Sequence, residues 1–120
     1  MAHRILVIDD KADLALTLRM QLERHGHEVI TADNGRRGLR TFFEMRPDLV
    51  VLDVKMPDLD GWQTLERLRD LSDVPVLMMS GLAPAPDQLE RLRPGRDAFR
   101  AKPLAGPELV GVVDELLLAA

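Results

Sequence analysis

Acidic, hydroxyl and amino side chains stand where the apolar runs of this sequence end. In chain order they are Asp9-Asp10 after "RILVI", Asp53 at the end of "DLVVLD", Ser80 at the end of "PVLMMS", and Lys102 after "DAFRA". Clustered carboxylates repel one another, and a hard divalent cation such as Mg²⁺, bound through oxygen, removes that repulsion. A carboxylate nucleophile beside Mg²⁺, a lysine and a hydroxyl is suited to phosphoryl transfer.

The elements that must position these groups alternate between strand and helix. Strands are predicted at 4–8, 27–31, 48–53, 75–80 and, more weakly, 97–101. Helices are predicted at 14–26, from the Asn34 cap to Arg46-Pro47, at 61–69, at 87–93, and from Pro107 onward. This alternation indicates an α/β domain, a mostly parallel sheet with helices on both faces. Ligands of such sheets bind beyond the carboxyl ends of the strands, where the groups above would meet.

Several side chains outside the strand ends are assigned structural roles. Leu14, Leu18 and Leu22 recur at helical spacing, Leu39, Phe42 and Phe43 are predicted to face the core, and Trp62 is interpreted as core packing. The three histidines, which are His3, His25 and His27, are interpreted as surface residues.

Three prolines restrict the fourth helix. Pro84, Pro86 and Pro94 leave only 87–93 for it, because proline is not tolerated inside a helix. We therefore expect a short and mobile helix of about two turns.

Composition limits the classes of function. The chain has 120 residues, of which 46% are hydrophobic and 30% charged, so we expect one globular domain over 1–120. It has no cysteine, which excludes disulfides and thiolate metal sites. The net charge of −4 and the scattered basic residues do not predict a nucleic-acid surface, and no apolar run approaches the ~18 residues of a membrane span. The start of the chain does not resemble a signal peptide, so a cytoplasmic location is expected.

The segments "ILVIDD", "DLVVLDVKMPDLDG" and "AFRAKP", together with Ser80, resemble the receiver domain of two-component response regulators. The resemblance implies a doubly wound, flavodoxin-like sheet of order 2-1-3-4-5. It implies that Asp53 accepts a phosphoryl group from a phosphohistidine on a sensor histidine kinase or a histidine phosphotransfer protein. Asp10 would bind Mg²⁺ directly, Asp9 chiefly through water, and Lys55 through its backbone carbonyl.

The resemblance also implies a switch. Ser80 and Lys102 would hold the phosphoryl oxygens, and Phe99 stands at the place of the family's switch aromatic. The surface of the fourth helix, fifth strand and last helix would then contact a second copy or an effector, with an apolar face around Val110, Val113 and Leu117 as the natural contact. Departures from the family pattern, Gly81 and Arg100 among them, lie near that surface.

Two other functions remain open from the sequence. One is a pseudo-receiver, an interaction module without phosphoryl chemistry. The other is a metal-dependent phosphatase of the haloacid-dehalogenase type, with an aspartyl nucleophile. Such enzymes use a second acidic residue two positions after the nucleophile, where this chain has Lys55. A receiver is not a conventional enzyme, since it catalyses only its own phosphorylation at Asp53 and its own slow dephosphorylation. The chain is expected to be either a stand-alone receiver or part of a longer regulator.

Overall fold

Five parallel strands form one sheet in the computed structural model, which describes residues 3–120. They are β1 (Arg4–Ile8), β2 (Glu28–Ala32), β3 (Leu49–Asp53), β4 (Val76–Ser80) and β5 (Asp97–Ala101). The helices are α1 (Ala12–Arg24), α2 (Gly35–Met45), α3 (Gly61–Leu71), α4 (Pro86–Leu89) and α5 (Gly106–Ala119). The strand order is β2-β1-β3-β4-β5, which confirms the predicted fold.

The central strands are buried on both faces, and their alternate side chains enter two separate cores. One core joins β1, β3 and β4 to α1 and α5, and includes Ile5, Val7, Val51, Leu22 and Leu109. The other joins the opposite face of the same strands to α2 and α3, and includes Leu6, Ile8, Leu52, Phe42 and Leu68. Strands covered on both sides lack a polar face, which explains their continuous apolar sequences. Packing on both faces of the sheet fixes the positions of the strand ends that carry the candidate site.

The prediction for the core-facing side of the second helix was partly wrong. Phe42 is buried, but Phe43 is 46% exposed, and the Arg46 guanidinium lies 5.5 Å above its ring. Adjacent helix positions differ by about 100°, so both rings cannot face the sheet. On α1, Leu18 and Leu22 are buried while Leu14 is exposed.

The apolar face predicted around Val110, Val113 and Leu117 on α5 is only partly accessible. Val113 is fully buried in the core, so it is unavailable to a partner, while Val110 and Leu117 are only partly buried. The described residues contain no helix that is both long enough and apolar enough to cross a membrane.

His27 is not a surface residue, contrary to the interpretation from sequence. It is only 8% exposed, whereas His25 is exposed and His3 is partly buried. Burial, followed by the neighbouring His25 and His3, lowers the pKa of His27 below its ordinary value. The sequence offers no apolar spacing that would have indicated this burial.

The fourth helix is even shorter than predicted. It is a single turn in which Pro86 occupies the first-turn position that proline favours, and it contains no buried residue. After Leu89 the chain continues without regular secondary structure until β5 begins at Asp97.

Amide exchange should be faster in α4 than in α1 or α5. One turn without buried side chains opens with little loss of packing, whereas Leu22 in α1 and Leu109 in α5 are fully buried. Hydrogen exchange followed by mass spectrometry or NMR measures this difference. Protection across 83–95 equal to that of α5 would contradict it.

Candidate functional site

The carboxyl ends of β1, β3 and β4 and the residue after β5 bring the predicted site residues to one edge of the sheet. Asp9 is 2% exposed and Asp53 5% exposed, and the Lys102 side chain reaches between them. Its Nζ lies 2.9 Å from Asp53 Oδ1 and 3.3 Å from Asp9 Oδ2. Two buried carboxylates therefore share one ammonium group.

The acidic pair after β1 supplies one buried and one exposed carboxylate. The Asp9 backbone N–H donates to the Ala32 carbonyl at 3.0 Å, and Asp9 Oδ1 accepts from the Lys11 N–H at 2.9 Å. These bonds fix Asp9 in place, while Asp10 stands exposed at the mouth of the site.

The carboxylates fit a divalent cation. One oxygen each of Asp9, Asp10 and Asp53 lies within 4.8 Å of the others. Carboxylate oxygens are the ligands that Mg²⁺ prefers, and a site with few protein ligands leaves positions for water and phosphate. Lys55 follows Asp53 by two residues in the loop to α3, and its side chain is exposed.

The charges of the site shift the pKa values of its central pair. Burial is the largest influence on Asp53 and, helped by the charges of Asp9 and Asp10, raises the pKa of its carboxyl despite the hydrogen bond from Lys102. Burial alone would lower the pKa of Lys102, but the hydrogen bond to Asp53 and the charges of Asp9 and Asp53 outweigh it, so that pKa is raised. The lysine therefore stays charged at neutral pH and favours the ionised form of Asp53.

A glycine that the sequence reasoning did not single out holds Asp53 in position. The Gly61 N–H donates to the Val54 carbonyl at 2.8 Å, so the start of α3 packs directly on the end of β3. A Cβ at Gly61 would lie 2.6 Å from the Val54 Cα and closer still to the Asp53 carbonyl oxygen. Asp60 caps the helix through a capping box with Gln63. The signal was present in "DLDGW", where a cap residue precedes a glycine at the helix start.

Ser80 and Phe99 lie beside an open cleft. Ser80 Oγ accepts a hydrogen bond from the Leu82 N–H at 3.1 Å. The Phe99 ring is partly buried and stacks parallel to Trp62, with 6.5 Å between centroids. A cleft of about 400 Å³ is lined by these residues and by Met56 and Pro84, among others. Trp62 thus packs in the core, as predicted, and also forms a wall of this cleft.

An ion pair missed in the sequence anchors β5. Arg69 of α3 donates to the buried carboxylate of Asp97, which also accepts from the Arg93 N–H at 2.9 Å. Arg100 instead turns its guanidinium to the Phe99 carbonyl at 2.9 Å. The start of β5 is therefore tied to α3, while its far end carries Lys102.

Comparisons with known sequences and structures show which proteins this chain resembles. The sequence profile described as "Response regulator receiver domain" matches residues 5–114. The chain is 41% identical over 118 residues to the probable transcriptional regulator ycf27 of Pyropia yezoensis, covering 98% of this chain and 49% of that protein. It is 41% identical over 115 residues to the transcriptional regulatory protein PrrA of Mycobacterium tuberculosis, covering 95% of this chain and 49% of PrrA. The chain thus spans about half the length of these curated relatives.

Solved structures agree on the fold. A CheY-like response regulator receiver domain protein from Methanospirillum hungatei superposes with a TM-score of 0.89 at 29% identity, over 98% of this chain and 94% of that one.

Replacing Gly61 by alanine should destabilise the protein by about 1–3 kcal/mol, because the added methyl group overpacks the end of β3. Gly111 is the matched control, since it is an exposed helical glycine whose Cβ would meet nothing within 4 Å. Gly111→Ala should instead stabilise the protein by about 0.5–1 kcal/mol. Urea unfolding measures both. Equal effects of the two substitutions would show that the close approach at Asp53 carries no constraint.

Proposed function

Because the chain belongs to the response regulator receiver family of two-component signalling proteins, we propose that it is a phosphorylation-controlled switch whose phosphoryl acceptor is Asp53. The observation that carries this proposal is the Lys102 ammonium held 2.9 Å from Asp53 Oδ1 beside two further carboxylates. A pseudo-receiver has no need to keep two buried carboxylates close together beside a third, exposed one. Phosphoryl transfer needs each of these groups.

The proposed reaction transfers a phosphoryl group from a phosphohistidine of a sensor histidine kinase or a histidine phosphotransfer protein. A carboxylate oxygen of Asp53 forms the new bond to phosphorus while the phosphorus–nitrogen bond of the donor breaks. The electron pair of that bond returns to the donor imidazole. Lys102 and Ser80 then contact the transferred oxygens, the lysine as a point charge and the serine as a hydroxyl donor.

The carboxylates in this proposal also hold Mg²⁺. Asp10 and Asp53 would bind the ion directly, Asp9 chiefly through water, and Lys55 through its backbone carbonyl. When bound, Mg²⁺ neutralises the acidic cluster and the oxygens of an incoming phosphoryl group. Asp53 would thus act both as a ligand of the ion and as the nucleophile.

The proposed readout starts at Ser80. Its hydroxyl would leave the Leu82 N–H for a phosphoryl oxygen, and Phe99 would turn toward the cleft that Ser80 lines. That movement repacks β5 with α4 and α5, which is the surface we assign to a second copy or an effector. Phenylalanine has no hydroxyl to anchor either ring position, so we expect a partial shift between two states.

The relatives support a proposal for the kind of output that the switch controls. The curated relatives ycf27 and PrrA are named as transcriptional regulators, and the chain spans about half of each. We therefore propose that phosphorylation of this domain controls a gene-regulating output in the cytoplasm, carried by a partner or further domain. The receiver itself, with a net charge of −4, is not expected to contact nucleic acid.

Incubation with acetyl phosphate and Mg²⁺ should add one phosphoryl group to the wild-type protein and none to Asp53→Asn, as measured by intact mass. Asp58→Asn is the matched control. Asp58 is an exposed carboxylate five positions away, it pairs with Arg36 at 2.7 Å, and its loss should leave labelling at the wild-type level. Omitting Mg²⁺ should slow labelling strongly.

Three results would contradict the proposal in different ways. Full labelling of Asp53→Asn would place the acceptor elsewhere. No labelling of the wild type by acetyl phosphate or by a phosphohistidine donor would favour a pseudo-receiver. Repeated turnover of a small phosphate ester would favour a phosphatase, because a receiver gives stoichiometric labelling followed by slow hydrolysis.

A further inference from the structure

A second cluster of metal-binding side chains lies at the opposite edge of the sheet from Asp53. His25 and His27 belong to the connection between α1 and β2, and Asp114 belongs to α5. Each offers one ligand atom, and these atoms lie within 4.8 Å of one another. The cluster shares no residue with the acidic site.

The buried member of the cluster has an unused ring nitrogen. His27 is 8% exposed, and its Nε2 has no hydrogen-bond partner among residues 3–120. Its Nδ1 has only a weak contact of 3.4 Å with the backbone N–H of His3. A buried polar atom without a partner is costly and rare in folded proteins. One ring nitrogen of His27 belongs to the cluster, and within the described residues neither nitrogen has a strong partner, so a bound metal ion would satisfy a ring that the fold leaves nearly unpaired.

The other two members are spaced as ligands of one ion. His25 Nε2 lies 3.4 Å from Asp114 Oδ2, which is long for a charged hydrogen bond. Ligands about 2.0–2.1 Å from a tetrahedral Zn²⁺ stand about 3.3 Å apart. Both side chains are 46% exposed, so they can rotate toward an ion while His27 stays fixed by burial.

We propose that His25, His27 and Asp114 bind a Zn²⁺ ion, with a water molecule as the fourth ligand. Two imidazoles and one carboxylate suit Zn²⁺, whereas Mg²⁺ prefers a site made of oxygens. The two metal sites are thus separated by ligand chemistry as well as by position. Zinc at this site joins the α1–β2 connection to α5, one of the elements of the proposed output surface.

The test is a calorimetric titration of the full chain with ZnCl₂, after treatment with a chelator and in the presence of excess Mg²⁺. The wild type should bind one Zn²⁺ ion with release of heat and melt at a higher temperature when zinc is present. His25→Gln and Asp114→Asn should each weaken binding at least tenfold, since loss of an outer-shell partner alone commonly costs about 10–100-fold. Both positions are half-exposed, so the variants should fold, which circular dichroism checks.

Glu115→Gln is the matched control on α5. Glu115 is exposed and lies next to Asp114 in the chain. The substitution Glu115→Gln therefore removes the same charge from the same helix without removing a ligand. Its zinc affinity should equal that of the wild type. NMR should show the His25 and His27 ring signals shifting together as zinc is added. Wild-type affinity in both His25→Gln and Asp114→Asn, or ring signals that do not move at saturation, would overturn the proposal.

Discussion

The Lys102 ammonium lies between two buried carboxylates, and the arrangement of the site depends on this contact. Asp9 follows β1 and Asp53 ends the neighbouring strand β3, and their carboxylate oxygens lie within 4.8 Å of each other. As a general scale, two like charges about 4 Å apart repel by about 4 kcal/mol at an effective dielectric constant of about 20. Lys102 reaches both from the far side of the sheet, 93 and 49 residues away in the chain. Its own backbone N–H donates to the Ser80 carbonyl at 2.9 Å, so the lysine is placed by the strand that carries the serine. The backbone contact between Lys102 and β4 thus places the ammonium group that balances the charges of Asp9 and Asp53.

The double-sided core makes this contact possible. Strands β1, β3 and β4 are anchored on both faces by apolar side chains, so their last residues emerge at fixed positions with little freedom to separate. The fold therefore keeps the two carboxylates together despite their repulsion, and the Lys102 ammonium offsets part of that repulsion. A divalent cation bound beside them would offset more of it. The start of α3 packs against the end of β3 beside the site, and only a glycine fits between the two elements.

The sequence predicted the strands well because their signal is local. The predicted bounds of β1 and β5 agree with the structure. Strands β3 and β4 begin one residue later than predicted, and β2 is shifted by one residue at both ends. The polar strand ends could be recognised for the same reason, since each breaks an apolar run. Parallel strands then bring those ends to one edge, which is a rule of topology and needs no knowledge of particular contacts.

Features set by tertiary contact were harder to predict. Phe42 and Phe43 are chemically alike, and only the direction of the helix decides which is buried. His27 lies against the rings of His3 and His25 and near Asp114, neighbours that only the folded chain brings together. The Arg69–Asp97 pair likewise joins residues 28 positions apart. Gly61 was visible as a glycine at a helix start, but its need to lie against the Asp53 carbonyl follows from packing. Pro86, Pro84 and Pro94 indicated a short α4, yet not that it would end after one turn.

The most direct test of this account is the Mg²⁺ affinity of Lys102→Met, measured by calorimetry beside Lys55→Met. Both substitutions remove one positive charge, but the Lys55 side chain is exposed whereas Lys102 contacts Asp9 and Asp53. If Lys102 offsets the repulsion that a cation would otherwise relieve, its loss should tighten Mg²⁺ binding about tenfold or more. Lys55→Met should change it by no more than about twofold, since exposed charges are screened. An unchanged or weaker Mg²⁺ affinity in Lys102→Met would contradict the central role of this charge balance.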